Sequence, residues 1–433
     1  MKLNKILLAA SMALLSVGAN AQDFFPEDVR IYINPGHGSW GGANNRHMPT
    51  IGHSPINDED PDTTDFFESN TNLEKGLSML YKLIDYGCPF DPELNQENDN
   101  PNRIGAALDL SQGVVMSRVK NGPYPFAWVN GVDPDSGNDF SRNLTEIAEE
   151  VETNMFDVFI SIHSNAGNAD AQNLNYLAFL YRTNRGANGN DCVALCNTGW
   201  DQRIQDRHTQ WTVYDNPVAE GNVKINTGDY IVLAHSVPGY LVEGYFHTYQ
   251  PARHRAMNFD VDRVEGHDYA RGVADYFMWE KEETGNIYGI VRDDTNPLIN
   301  ELYTYNPKTP DKYAPLNDVD VTLKKDGEVV GTYKTDINYN GAFVFMNVEA
   351  GDYTVEFAHP DYQGAEPIEV TVEAAKTSYP TAFLKNTSGV EGIEADNNAP
   401  VEYYNLQGIK VANPQGGVFI KLQGEKATKE YIK

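Results

Sequence analysis

The run Phe156-Asp157-Val158-Phe159-Ile160-Ser161-Ile162 constrains this chain more than any other stretch. A strand that is apolar at almost every position, with no alternation, cannot leave one face in water; it belongs inside a parallel sheet with helices on both sides. Around it, from about residue 29 to 283, short apolar runs alternate with helical periodicity, the pattern of an α/β domain. Residues 29–34 read as a first strand, broken by Pro35-Gly36. Residues 72–84 place Leu73, Leu77, Leu80 and Ile84 on one face of an amphipathic helix. Residues 114–116, 176–181, 230–234 and 240–242 read as further strands, and 144–151 and 270–279 as helices.

After Thr284 the pattern changes to period-2 runs separated by turn signals. Residues 286–292, 319–323, 329–334, 342–345 and 353–357 read as strands, with Asp326-Gly327 and Asn340-Gly341 as hairpin turns. The expected fold is therefore α/β, with a mostly parallel sheet and helices on both faces, followed by an all-β, immunoglobulin-like sandwich. The expected division is a catalytic domain over 28–283, a sandwich over 286–385, a linker, and a short β module over 400–433.

Lys2 and Lys5 precede an apolar run over 6–17 that ends in Gly18-Ala19-Asn20-Ala21, the form of a secretory signal peptide over 1–21. No cysteine stands at the cleavage point to take a lipid, so the expected destination is the periplasm, the cell surface or the medium. No later stretch is long and apolar enough to span a bilayer. A net charge of -29 over 433 residues argues against nucleic acid or an anionic membrane surface as partner. Three cysteines, Cys88, Cys192 and Cys196, are too few for a disulfide scaffold, although Cys192 and Cys196 could form one bridge.

Three residues stand out for chemistry. His37, in Gly36-His37-Gly38, follows the first strand directly, which places it at the carboxyl edge of the sheet, where α/β proteins put their sites. His163 ends the most apolar strand, where an imidazole needs a partner. Glu243 lies inside Leu241-Val242-Glu243, where burying a carboxylate is costly without a function or a counter-charge. Each has a plainer reading: a turn residue, a core histidine bonded to backbone, and a buried structural carboxylate.

Taken together, Ile31-Tyr32-Ile33-Asn34-Pro35-Gly36-His37-Gly38, Glu68 with Asn72-Leu73, Met116-Ser117-Arg118, Arg142, Ile147-Ala148, the stretch from Asp157 through His163-Ser164-Asn165-Ala166, and Leu241-Val242-Glu243-Gly244-Tyr245-Phe246 resemble the zinc-dependent N-acetylmuramoyl-L-alanine amidases. Their order along the chain is that of the family. The resemblance implies an exported hydrolase that cuts the amide between N-acetylmuramic acid and L-alanine in peptidoglycan or muropeptides. It implies one zinc ion on His37, Glu68 and His163, with Glu243 as general base. Glu74 lies near Glu68, but only Glu68 has the family's spacing to an Asn-Leu pair. Two imidazoles and one carboxylate leave zinc net positive, enough to bring the pKa of a bound water toward about 7.

Arg118 and Asn165 are candidate substrate contacts on the same resemblance, a structural role competing for Arg118. His47, His53, His235, His247 and His254 match no family position and are expected to be loop histidines. Residues 95–139 and 182–226 exceed what short family members need and are expected as loop insertions at the cleft. The sandwich, through Gly289-Ile290-Val291-Arg292-Asp293 and Asn340-Gly341-Ala342-Phe343, resembles carboxypeptidase regulatory-like domains, which implies an accessory module. The terminal module resembles type IX sorting domains. Two other functions share this framework: a peptidoglycan- or glycan-binding protein without turnover, and a zinc peptidase with another amide substrate.

Overall fold

The computed structural model describes residues 24–38, 47–53, 62, 64–91, 113–121, 138–139, 142–154, 156–167, 174–206, 208, 224–363, 365–386, 400–406, 408–424 and 426–432. The expected signal peptide, most of the expected insertion over 95–139 and most of the linker lie outside these residues.

Six strands form the first sheet: β1 (Ile31–Pro35), β2 (Val114–Met116), β3 (Val158–Asn165), β4 (Ala178–Tyr181), β5 (Lys224–Asn226) and β6 (Gly239–Phe246), in the order β2-β1-β3-β6-β4-β5. β2, β1, β3 and β6 run parallel; β4 pairs antiparallel with β6 and parallel with β5. The apolar strand of the sequence, β3, lies between β1 and β6, its first five residues fully buried. Its neighbours are bound by polar groups as well: Asn34 Nδ2 donates to Ser161 Oγ at 2.9 Å, and Ser117 Oγ to Asn34 Oδ1 at 2.7 Å.

Both faces are covered, as the doubly apolar strands require. α1 (Glu68–Asp85), α3 (Gly189–Arg203) and α5 (Phe259–Phe277) bring Met79, Leu83, Leu195, Trp200, Tyr269 and Val273 onto Ile31, Ile33, Ile160, Ile162 and Val242. On the other face α2 (Leu144–Asn154) sets Ile147 and Val151 against Tyr32, Phe159 and Leu241.

Several expectations are corrected. Residues 230–234 are not a strand: Ile231–Leu233 is a turn of 3-10 helix. The closing helix begins at Phe259 rather than Ala270. α3 was hidden inside a segment expected as loop, because its buried stripe is Cys192, Leu195, Cys196, Gly199, Trp200 and Arg203, too few of which are large and apolar to reveal a period. The same helix removes the disulfide. Cys192 and Cys196 are free thiols one helical turn apart, with Cβ atoms about 5–6 Å apart, beyond the about 3.5–4.5 Å that a disulfide spans.

The all-β part has two sheets. β7 (Thr284–Asp293), β10 (Ala342–Glu349), β12 (Tyr362–Gln363) and β15 (Thr381–Asn386) form one, in the order β10-β7-β15-β12, with β14 (Thr377–Ser378) also pairing β7. β8 (Asp320–Lys325), β9 (Glu328–Lys334), β11 (Gly351–Ala358) and β13 (Ile368–Val372) form the other, in the order β9-β8-β11-β13. Phe343, Val355, Val321 and Leu384 fill the space between. Asp326 and Gly327 both take positive φ, 52° and 84°, as the tight β8–β9 hairpin demands. Asn340-Gly341 is no such turn, since β9 and β10 belong to different sheets; Asn340 instead caps its own loop through Asp336 and reaches His254 O at 3.2 Å. The C-terminal module is a separate four-stranded antiparallel sheet over 401–432.

The sandwich packs on the α/β part. Val261 and Val264 of α5 share a core with Tyr288, Ile290, Ala342 and Val344. Buried in the same junction, Asp311 accepts from Tyr249 (2.7 Å), Arg255 (2.8 Å) and Arg292 (2.7 Å).

Candidate metal centre

The carboxyl edge of the sheet gathers His37, Glu68 and His163, one donor atom from each lying within 4.8 Å of the others. Each is delivered by a different local device. His37 follows β1 and has φ 64°, a left-handed conformation uncommon in a residue with a Cβ and typical of functional sites. Gly36 beside it is required by close approach, because a Cβ there would come within 2.0–2.5 Å of the His163 ring. Glu68 opens α1, where the helix dipole favours a carboxylate. His163 stands near the end of β3, and the sheet register sets Glu243 of β6 directly beside it.

Glu68 is the hub. Its Oε2 lies 3.3 Å from His37 Nε2 and its Oε1 3.5 Å from His163 Nδ1. Oε1 also accepts from the Ser164 backbone N–H at 2.8 Å and from Asn72 Nδ2 at 3.4 Å. Burial by itself pushes this carboxyl up, but attraction to His37 and hydrogen bonds from His163 and His37 hold it well below the usual range. Among the described residues no lysine or arginine forms an ion pair with it. The Nε2 of His163 is buried without a hydrogen-bond partner.

That donor set fits zinc. Hydrolytic zinc takes nitrogen and oxygen ligands, three from protein with one position open, at bonds of about 2.0–2.2 Å. Tetrahedral placement at such bonds separates neighbouring donors by roughly 3.3–3.6 Å; His37 Nε2 lies 3.3 Å from Glu68 Oε2 and His163 Nδ1 3.5 Å from the other oxygen, Oε1, with one donor from each of the three residues within 4.8 Å of the others. Glu74 is elsewhere: its carboxylate takes Arg263 Nε at 2.6 Å, on the outer surface of α1.

The other expected site residues divide. Asn165 is half-buried at the end of β3, its Oδ1 accepting from Ala166 N and its carbonyl from His247 N. Arg118 has the contacts of the structural role, one of the two expected for it. It is fully buried and donates to Pro35 O at 2.8 Å and to Gly36 O and Ser69 O at 2.9 Å, which ties the His37 turn to the start of α1. Of the expected loop histidines only His254 lies in a helix or strand; His235 and His247 are in loops, as expected, but are buried. His235 is buried against Val237 O, and His254 lies in the short helix α4 (Gln250–Arg255) with Nδ1–H donating to Asn338 O at 2.7 Å. His247 is 3% exposed and stands against Glu68 and Ser164. No family position marked it, and nothing in the local sequence brings residue 247 to residue 68.

The sequence profile of the second β-sandwich domain of the NOMO1-like BOS complex subunit matches residues 310–385. It supports the sandwich under another name than the carboxypeptidase regulatory-like one. No curated protein sequence matches the chain. Solved structures similar to it include the CwlD amidase from Clostridioides difficile in complex with the GerS lipoprotein, at 15% identity over 58% of this chain and 98% of that one, TM-score 0.38. Others are N-acetylmuramoyl-L-alanine amidase AmiC2 of Nostoc punctiforme, at 18% over 58% and 97%, TM-score 0.34, and the catalytic domain of the amidase CwlV from Bacillus (Paenibacillus) polymyxa var. colistinus, at 15% over 58% and 99%, TM-score 0.34. At these identities and scores, function has to be read from the site.

Proposed function

We propose that this chain is an exported zinc-dependent hydrolase that cuts the amide between N-acetylmuramic acid and L-alanine in peptidoglycan or its fragments. The observation that carries the reading is the convergence of His37, Glu68 and His163, from three separate elements, beside Glu243 on one sheet edge. The substrate class comes from the motif resemblance in sequence. Zinc held there would acidify a water and polarise the scissile carbonyl.

The protein's own residues do the rest. Glu68 and the two imidazoles would hold the ion, while Ser164 N–H and Asn72 fix the carboxylate's orientation. Arg118 holds the Pro35-Gly36 turn so that His37 faces the same point. Glu243, 6% exposed, takes the proton of the attacking water. As the C–N bond breaks, it passes that proton to the departing L-alanine amine. Asn165, half-buried at the end of β3, would meet the substrate. The basic, apolar and small-residue order of residues 1–21 supports export.

Mass spectrometry of products, after zinc-loaded and chelator-treated protein meets muropeptides and intact peptidoglycan, tests this. Zinc-dependent release of a peptide with a free L-alanine amino group is expected. Bound zinc without cleavage would instead favour a binding protein or another amide substrate.

A further inference from the structure

His247 has no part in the ligand set or the base, yet it lies closer to Glu68 than sequence gives any reason to expect. Its Nδ1 is 3.7 Å from Glu68 Oε2 and 3.0 Å from Ser164 Oγ. The first distance is too long for a hydrogen bond but short for a charge–dipole contact in a buried site. The second ties the ring to the residue whose N–H grips Glu68 Oε1 at 2.8 Å. Glu68 is therefore approached from both ends: Ser164 and Asn72 at Oε1, His37 and His247 at Oε2.

The ring is itself held in place. Phe66 stacks on it, centroids 5.9 Å apart at 28°. The His247 backbone N–H donates to Asn165 O at 2.9 Å, and the His247 backbone carbonyl accepts from Arg253 Nη1 at 2.9 Å. It follows Glu243 by four residues, in the turn just past the end of β6. One piece of chain thus carries the base and a group fixed against the ligand carboxylate.

We propose that His247 is a positioning residue for the metal ligand Glu68, setting its orientation directly and through Ser164. This rests on the zinc reading above. Groups in that relation to a metal ligand change metal affinity about 10–100-fold when lost.

The test is zinc affinity, by competition with a chromophoric chelator at fixed pH, alongside melting of the metal-free protein. His247→Phe keeps the ring and its stacking on Phe66 but removes the nitrogens. His247→Asn restores a polar atom near the Nδ1 position. The expected result is zinc binding weakened about 10–100-fold in His247→Phe, substantially recovered in His247→Asn, with metal-free melting close to that of the unmodified protein in both. Affinity unchanged in His247→Phe would overturn the inference, as would equal weakening in both variants with a parallel loss of metal-free stability. If the unmodified protein takes up no zinc in a manner sensitive to His163→Ala, the metal reading falls and this inference with it.

Discussion

Glu68 and Asp311 are both fully buried carboxylates ringed by basic side chains, and they answer the same physical problem in opposite ways. Asp311 is met by two guanidinium groups, Arg255 and Arg292, and by the Tyr249 hydroxyl; the carboxylate is satisfied within the chain, while Arg255 Nε and Nη2 and Arg292 Nε are buried without a hydrogen-bond partner. After the penalty of burial, the two arginines hold its carboxyl far below the usual range. Glu68 is met by imidazoles, His37, His163 and His247, and by no guanidinium or ammonium ion pair among the described residues. One cluster joins the α/β part to the sandwich through guanidinium groups. The other gathers side chains of the kinds that ligate metals.

The largest break between them should come from chemistry. Glu243→Gln is expected to lower kcat/KM for muropeptide cleavage about 10²–10⁴-fold, with zinc content and melting temperature unchanged. Turnover that persisted undiminished would remove Glu243 as the base.

Asp311→Asn should do the reverse. Leaving Arg255 and Arg292 buried without a counter-charge costs about 3–5 kcal/mol, measured as a lower urea midpoint. A shift under about 1 kcal/mol would mean that the junction is not held by this charge cluster.

Zinc sharpens the contrast from the other side. At a free concentration a thousandfold above its Kd, it should stabilise the protein by about 4 kcal/mol, an increment that Glu68→Gln abolishes and a surface change does not.

Acid acts on the junction more gently. Burial lowers His208 and His254 to about 4, against weaker opposing effects from nearby groups; His208 Nε2–H donates to Pro380 O and His254 Nδ1–H to Asn338 O. As pH falls below about 6.5 the unfolded chain binds protons that the folded one refuses until near 4. The unfolded state then holds more protons, so stability drops on acidification through that window. The expected loss is up to about 1.4 kcal/mol per pH unit per histidine, read from urea unfolding at pH 7 and 5. His254→Gln should flatten the dependence.

The smallest effect is expected at Glu74. Breaking its exposed pair with Arg263→Ala should change stability by less than about 1 kcal/mol and leave zinc affinity alone. A loss of zinc binding would return Glu74 to the ligand set.

Much of this contrast was legible on one side only. His37 and His163 were visible because each ends a strand, and strand ends in an α/β sheet converge on one edge. Glu68 was visible only through its spacing to Asn72-Leu73. His247 was not, because its meeting with Glu68 depends on β6 lying next to β3 and on the turn beyond it. Arg118 was legible as either a substrate contact or a structural arginine, and its burial against three carbonyls supplies the structural contacts. The Asp311 cluster joins residues of α4 and its approach to residues in the sandwich, and no local pattern announces it.

By itself the sequence determined the class of each half, because apolar periods of 2 and 3.6 record which faces must leave water. It also determined that strand-end donors of the right type exist. Tertiary structure alone decided which buried carboxylate meets guanidinium groups and which meets imidazoles, since that depends on atoms brought within a few ångströms from residues as far apart in the chain as Glu68 and His247.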